Sequence, residues 1–157
     1  MREMSRREML GQLVGTAAVA SLWSLDGVAQ SPTKMVVYKD PSCGCCGKWV
    51  DHMNANGFAA AVTNTTNMGA IRKQHQIAPQ LESCHTALVG GYVIEGHVPA
   101  SDVKRLLKER PKGIAGLTIP GMPASAPGMD VTPFQPYTVL TFDAQGKTAV
   151  YARHDKA

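Results

Sequence analysis

Three of the chain's four cysteines fall within four consecutive residues, Cys43-Gly44-Cys45-Cys46. Thiolate sulfur is both a nucleophile and a soft metal ligand, so this cluster supports two chemistries. Cys43 and Cys46 have the C-x-x-C spacing of a redox dithiol, with Cys43 as the exposed nucleophile and Cys46 as its resolver. Cys45 is surplus to that task and invites scrambling, whereas a soft ion gains from every thiolate within reach. A single structural disulfide with spare cysteines is the plain alternative. The fourth cysteine, Cys84, lies in Glu82-Ser83-Cys84-His85-Thr86 beside a histidine that can ligate a metal or simply satisfy a backbone carbonyl. Two methionines, Met122 and Met129, are held in Pro120-Gly121-Met122-Pro123-Ala124-Ser125-Ala126-Pro127-Gly128-Met129. Their thioethers are neutral soft donors suited to Cu(I), or else fillers of core gaps or a lid over the site.

The other histidines carry less. His52 is a turn and a half of helix beyond Cys46 and reads as structural. His97 alternates with Glu95 and Val93, which predicts a solvated or supporting role. His75 and His154 sit among polar neighbours and read as surface residues.

The elements that must position these groups follow from periodicity. Met35-Val36-Val37-Tyr38 predicts a buried strand, broken by Asp40-Pro41-Ser42 ahead of the cysteines. Residues 48–56 carry Trp49, Val50 and Met53 at helical spacing, with Gly57 as a stop. Residues 58–63 predict a strand and 67–76 a helix ending ahead of Pro79. Strands at 86–89 and 92–98 flank Gly90-Gly91, a hairpin signal. Ser101 and Asp102 open a helix with Val103, Leu106 and Leu107 inward, closed by Pro111 and Gly113. The class is α/β, and the order β-α-β-α-β-β-α is a thioredoxin-like core with the cysteines at the first strand-to-helix turn. In such folds the segment entering the third strand, here Cys84-His85, faces that turn. Residues 116–136 read as an irregular Pro/Gly/Met loop, and 137–142 with 148–153 as a C-terminal hairpin.

The N-terminal 29 residues read as an export signal, leaving 30–157 as the metal-binding domain. Arg2, Arg6 and Arg7 precede a weakly apolar run at residues 10–25, and Gly27-Val28-Ala29 offers a cleavage site. Ser5-Arg6-Arg7-Glu8-Met9-Leu10 resembles the twin-arginine signal, which implies a bacterial, periplasmic destination. The run at 10–25 is short and interrupted by Gln12, Thr16, Ser21 and Ser24, so no stable membrane span is expected. The net charge of +4 is not gathered into a basic patch interleaved with aromatics, which argues against nucleic-acid binding. Serine-triad elbows, phosphate loops, dinucleotide fingerprints and H-E-x-x-H are absent from the sequence.

Taken together, Cys43-Gly44-Cys45-Cys46-Gly47-Lys48-Trp49, Ser83-Cys84-His85-Thr86, Gly91-Tyr92-Val93-Ile94-Glu95-Gly96-His97-Val98-Pro99, and the paired Pro/Gly/Met turns resemble the CopG-type copper-resistance proteins, catalogued as a domain of unknown function. Ala126 stands where that pattern has Ser. The resemblance implies a periplasmic thioredoxin-like domain that binds copper through Cys43, Cys45, Cys46 and Cys84, with Met122 and Met129 added. The expected cargo is Cu(I), with bridging sulfurs allowing a multinuclear copper–thiolate cluster. The task would be sequestration, detoxification or Cu(I)/Cu(II) interconversion, alongside other periplasmic copper-handling proteins. A thiol–disulfide oxidoreductase built on Cys43 and Cys46 is the rival reading. Zinc is disfavoured because adjacent cysteines strain a tetrahedral site.

Overall fold

In the computed structural model, residues 31–129 and 131–156 are described. The export-signal reading of residues 1–29 therefore lies outside the described residues. Among the described residues, seven strands form one sheet in the order β2-β1-β3-β4-β5-β6-β7, and three α-helices pack with it. Strand β1 (Thr33–Lys39) alternates, with Met35, Val37 and Lys39 turned inward and the intervening residues outward. Helix α1 (Gly44–Ala55) buries Cys46, Trp49, Val50 and Met53, the i, i+3, i+4, i+7 stripe of an amphipathic helix. It starts four residues earlier than the spacing of Trp49, Val50 and Met53 predicts, so Cys45 and Cys46 lie in its first turn. Strand β2 (Phe58–Asn64) then runs parallel to β1 at the sheet edge.

Helix α2 (Met68–Gln74) is capped by Asn67, whose side-chain oxygen accepts from the Ala70 amide. A short 3₁₀ turn, Pro79–Leu81, leads into β3 (His85–Val89), which is antiparallel to β1 with Lys39 opposite His85. That register brings the entry of β3 beside the exit of β1, where the cysteine turn begins. Strand β4 (Tyr92–Glu95) pairs antiparallel with β3, and α3 (Ala100–Glu109) follows, burying Val103 and Leu106. The expected element order is therefore present.

Two further stretches differ from the sequence expectation. Strand β4 ends at Glu95, because Gly96 adopts φ +78° and turns the chain out of the pleat. The stretch expected to be irregular from 116 to 136 begins with a strand, β5 (Gly116–Thr118), parallel to β4. It is only three residues long, too short to show a period, and is specified by burial of Leu117 between neighbouring strands. Strands β6 (Tyr137–Phe142) and β7 (Thr148–His154) complete the sheet as the expected hairpin. The core joins Met35, Val37, Trp49, Met53, Ile94, Val103, Leu106 and Leu117. No helix among the described residues is long and apolar enough to cross a membrane.

Candidate metal centre

The cysteine turn is built by Asp40, whose carboxylate accepts from the Ser42 amide at 2.8 Å while its carbonyl accepts from the Cys43 amide at 3.0 Å. This turn sets Cys43 at the N-cap of α1 with extended backbone and no side-chain cap. The cysteines therefore stand at the N-terminal end of α1, where a helix leaves its first N–H groups unpaired within the helix and presents the positive end of its dipole. Cys43 and Cys46 are joined as a disulfide, while Cys45 and Cys84 are free thiols. Cys45 Sγ lies 3.5 Å from Cys43 Sγ. The disulfide sulfurs become charged ligands only after two-electron reduction.

Cys84 closes the cluster from the opposite side. One sulfur from each of Cys43, Cys45, Cys46 and Cys84 lies within 4.8 Å of the other three. A second set, Cys46, Cys84, His85 and His97, meets the same limit and shares two sulfurs with the first. His97 Nε2 is 2.9 Å from Cys84 Sγ, and its Nδ1 is 2.7 Å from the Pro127 carbonyl oxygen. A carbonyl oxygen only accepts, so Nδ1 carries the proton and the Nε2 lone pair faces the sulfur. His85 Nδ1 lies 3.5 Å from the same sulfur, and its ring rests against Trp49 with centroids 4.2 Å apart. Trp49 is itself anchored by its indole N–H, which donates to the Val98 carbonyl at 2.9 Å. Burial, reinforced by the neighbouring Cys45 sulfur, pushes the Cys84 thiol up to about 11. Burial, with His97 as a second contributor, lowers His85 to about 3, so its imidazole is neutral at physiological pH.

The methionine loop covers this group. Gly128 has φ +86°, and a Cβ there would stand 2.8 Å from the Trp49 amide nitrogen and 3.0 Å from the Cys45 carbonyl. Only glycine allows the loop to lie so close on the first turn of α1. Met129 packs against the core beside it. Met122 is 59% exposed and, with Glu82, Ser83, Cys84 and Gly121, lines an open hollow of about 300 Å³.

The structure thus brings Cys43, Cys45, Cys46, Cys84 and His85 together, with Met122 lining the hollow beside Cys84 and Met129 packed on the core. Of the two roles expected for His97, solvated or supporting, the structure favours the supporting one. It is 1% exposed and in contact with Cys84, just past the bend at Gly96. His52 is structural as expected, accepting from the Ala100 amide at 3.2 Å. His154 is not a plain surface residue: its Nε2 is 2.8 Å from Asp102 and its ring stacks on Tyr137. His75 sits near the Tyr38 ring with a buried Nε2.

The donor chemistry fits a soft cation. It combines thiols, imidazoles and a nearby thioether in a partly dry pocket, and the buried His85 Nε2 has no hydrogen-bond partner among the described residues. Fold and site together define a mixed α/β protein with a cysteine–histidine centre at a strand-to-helix turn. Residues 81–129 match the family described as "Protein of unknown function, DUF411". A solved structure titled "Copper resistance protein copG- Form 1" is 33% identical over 79% of this chain and 98% of its own, with a TM-score of 0.74. Its Form 2 counterpart is 34% identical over 78% and 98%, with a TM-score of 0.73. A search of curated proteins gives no match. The chain belongs to the family of the CopG copper resistance proteins.

Proposed function

We propose that the protein binds Cu(I) at the cysteine cluster and serves copper sequestration or Cu(I)/Cu(II) interconversion in the bacterial periplasm. The observation that carries this reading is the overlap of two donor sets, four sulfurs and a Cys/His group, on Cys46 and Cys84. Reduced Cys43, Cys45, Cys46 and Cys84 supply thiolates, and sulfur can bridge ions into a cluster. His85 and His97 supply neutral nitrogens, with Met122 and Met129 as thioether donors from the loop. Copper is the cargo: the chain's residues bind it, exclude water and accept or release protons as it comes and goes. Binding at Cys84 displaces a thiol proton, so uptake releases protons and weakens in acid.

The Cys43–Cys46 disulfide favours a second reading, a thiol–disulfide oxidoreductase. The two are separated by Cys84→Ser and Cys45→Ser in the full chain. Anaerobic Cu(I) titration of the reduced protein should show lowered stoichiometry or affinity in both variants, since serine oxygen is a hard, protonated donor. Insulin reduction by the wild type should be slow. Full copper loading by Cys84→Ser together with brisk insulin reduction would overturn the copper reading and establish the oxidoreductase.

A further inference from the structure

Ser83, the residue before Cys84, has every polar group held by a different element. Its amide donates to Glu95 Oε1 on β4 at 2.8 Å. Its carbonyl accepts from the Arg72 guanidinium on α2, and its hydroxyl donates to the Gly121 carbonyl in the methionine loop. Arg72 Nε also donates to Glu95 Oε1 at 3.0 Å, and the Thr86 hydroxyl donates to Glu95 Oε2 at 2.6 Å. Glu95 is 0% exposed, and the Arg72 side chain is only 13% exposed. The packing on Ser83 leaves no slack: a Cβ on Gly96 would stand 2.4 Å from the Ser83 hydroxyl.

A buried ion pair adds little net stability, because desolvating both charges offsets their attraction. What this pair does supply is direction. Glu95 and Arg72 grip the two faces of one backbone residue, and the adjoining Cys84 then meets His97 at 2.9 Å. We propose that the Arg72–Glu95 pair is a positioning clamp that fixes the Ser83–Cys84 backbone and thereby aims the Cys84 sulfur at the metal centre. The same clamp ties the cysteine to the methionine loop, since Ser83 also holds Gly121, the neighbour of Met122. This proposal rests on the copper reading for its consequence, but the placement of Cys84 can be measured without copper.

The variants are Arg72→Lys, which keeps the charge but cannot span Glu95 and Ser83 together, and Glu95→Gln, which keeps the shape but not the charge. Val103→Ala, a core truncation in α3, an element that makes none of the Ser83 hydrogen bonds, serves as the comparison for general loosening. In the copper-free, disulfide-bonded full chain, alkylation of Cys84 by iodoacetamide is followed by peptide mapping, and the ¹⁵N resonance of His97 Nε2 reports its contact with the sulfur. Alkylation should rise several-fold and the His97 resonance should move in both clamp variants but not in Val103→Ala. After reduction, Cu(I) affinity should fall roughly 10- to 100-fold, the usual cost of losing an outer support of a metal ligand. Unchanged alkylation, resonance and affinity in folded clamp variants would overturn the proposal, as would equal changes in Val103→Ala. Should Glu95→Gln fail to fold, Arg72→Lys decides alone. Should the wild type bind no Cu(I), the functional reading fails and the alkylation and resonance arms still decide the clamp.

Discussion

The imidazole of His97 bridges Cys84 and the methionine loop: one ring nitrogen is 2.9 Å from Cys84 Sγ, the other 2.7 Å from the Pro127 carbonyl. The loop therefore fixes the tautomer of a residue facing the sulfur, the arrangement in which a backbone carbonyl orients a metal-binding histidine. His97→Asn should lower Cu(I) affinity at least about tenfold by removing a nitrogen donor at this position. Competition against a colorimetric Cu(I) chelator measures it, and wild-type affinity would return His97 to a supporting role.

The methionines are separable from packing by sulfur-for-carbon exchange. Met122→Leu with Met129→Leu keeps volume and apolarity, so apo stability should shift by under about 1.5 kcal/mol. If the thioethers reach the ion, Cu(I) affinity or cluster stability falls while the apo melting temperature barely moves. Met122 lies on the rim of the Cys84 hollow and Met129 packs on the core, so the single variants should differ, with Met122→Leu causing the larger copper defect. Unchanged copper binding in the double variant would assign both residues to packing.

Export is tested in the cell. The expectation rests on Arg6-Arg7 before a weakly apolar run and on Gly27-Val28-Ala29. Intact mass of periplasmic protein should place the N-terminus near Gln30. Arg6→Lys with Arg7→Lys should hold the protein in the cytoplasm if the twin-arginine route carries it, and leave export intact if the general secretory route does. A full-length cytoplasmic product from the wild type would defeat both.

Much of this centre was legible in the sequence because its chemistry is concentrated in rare residue types. The cysteine triplet, Cys84-His85 and the Met122/Met129 turns are all sulfur or imidazole in short motifs, and periodicity placed each on the correct junction. The sequence leaves His97 between a solvated and a supporting role; its burial and its 2.9 Å approach to Cys84 Sγ favour the supporting one, and no local pattern announces that contact. Strand β5 is not legible in the sequence because three residues cannot display a period, and its identity depends on β4 and β6 as partners. The Cys43–Cys46 linkage was one of several open states of the cluster. The Arg72–Glu95–Ser83 contacts span 23 residues of sequence, and no local pattern announces them. Such pairings arise only when α2, β4 and the β3 entry meet in three dimensions.

Acid and alkali should destabilise the copper-free protein through two different residues. His85 is lowered by burial to about 3, below the ordinary 6.5 of the unfolded chain. Between those values the unfolded state binds a proton that the folded state refuses, so stability is full above about pH 6.5 and is lost as pH falls. Cys84 acts in the opposite sense. Burial raises its thiol from 9.0 to about 11, so the unfolded state ionises first and stability falls as pH rises between those values. Urea midpoints of the disulfide-bonded, copper-free chain from pH 4 to pH 10 should therefore decline at both ends. His85→Asn cannot titrate in this range and should flatten the acid limb relative to wild type. Cys84→Ser should flatten the alkaline limb and leave the acid limb as it was. An acid limb that keeps its slope in His85→Asn would show that the buried imidazole is not what makes the fold acid-sensitive.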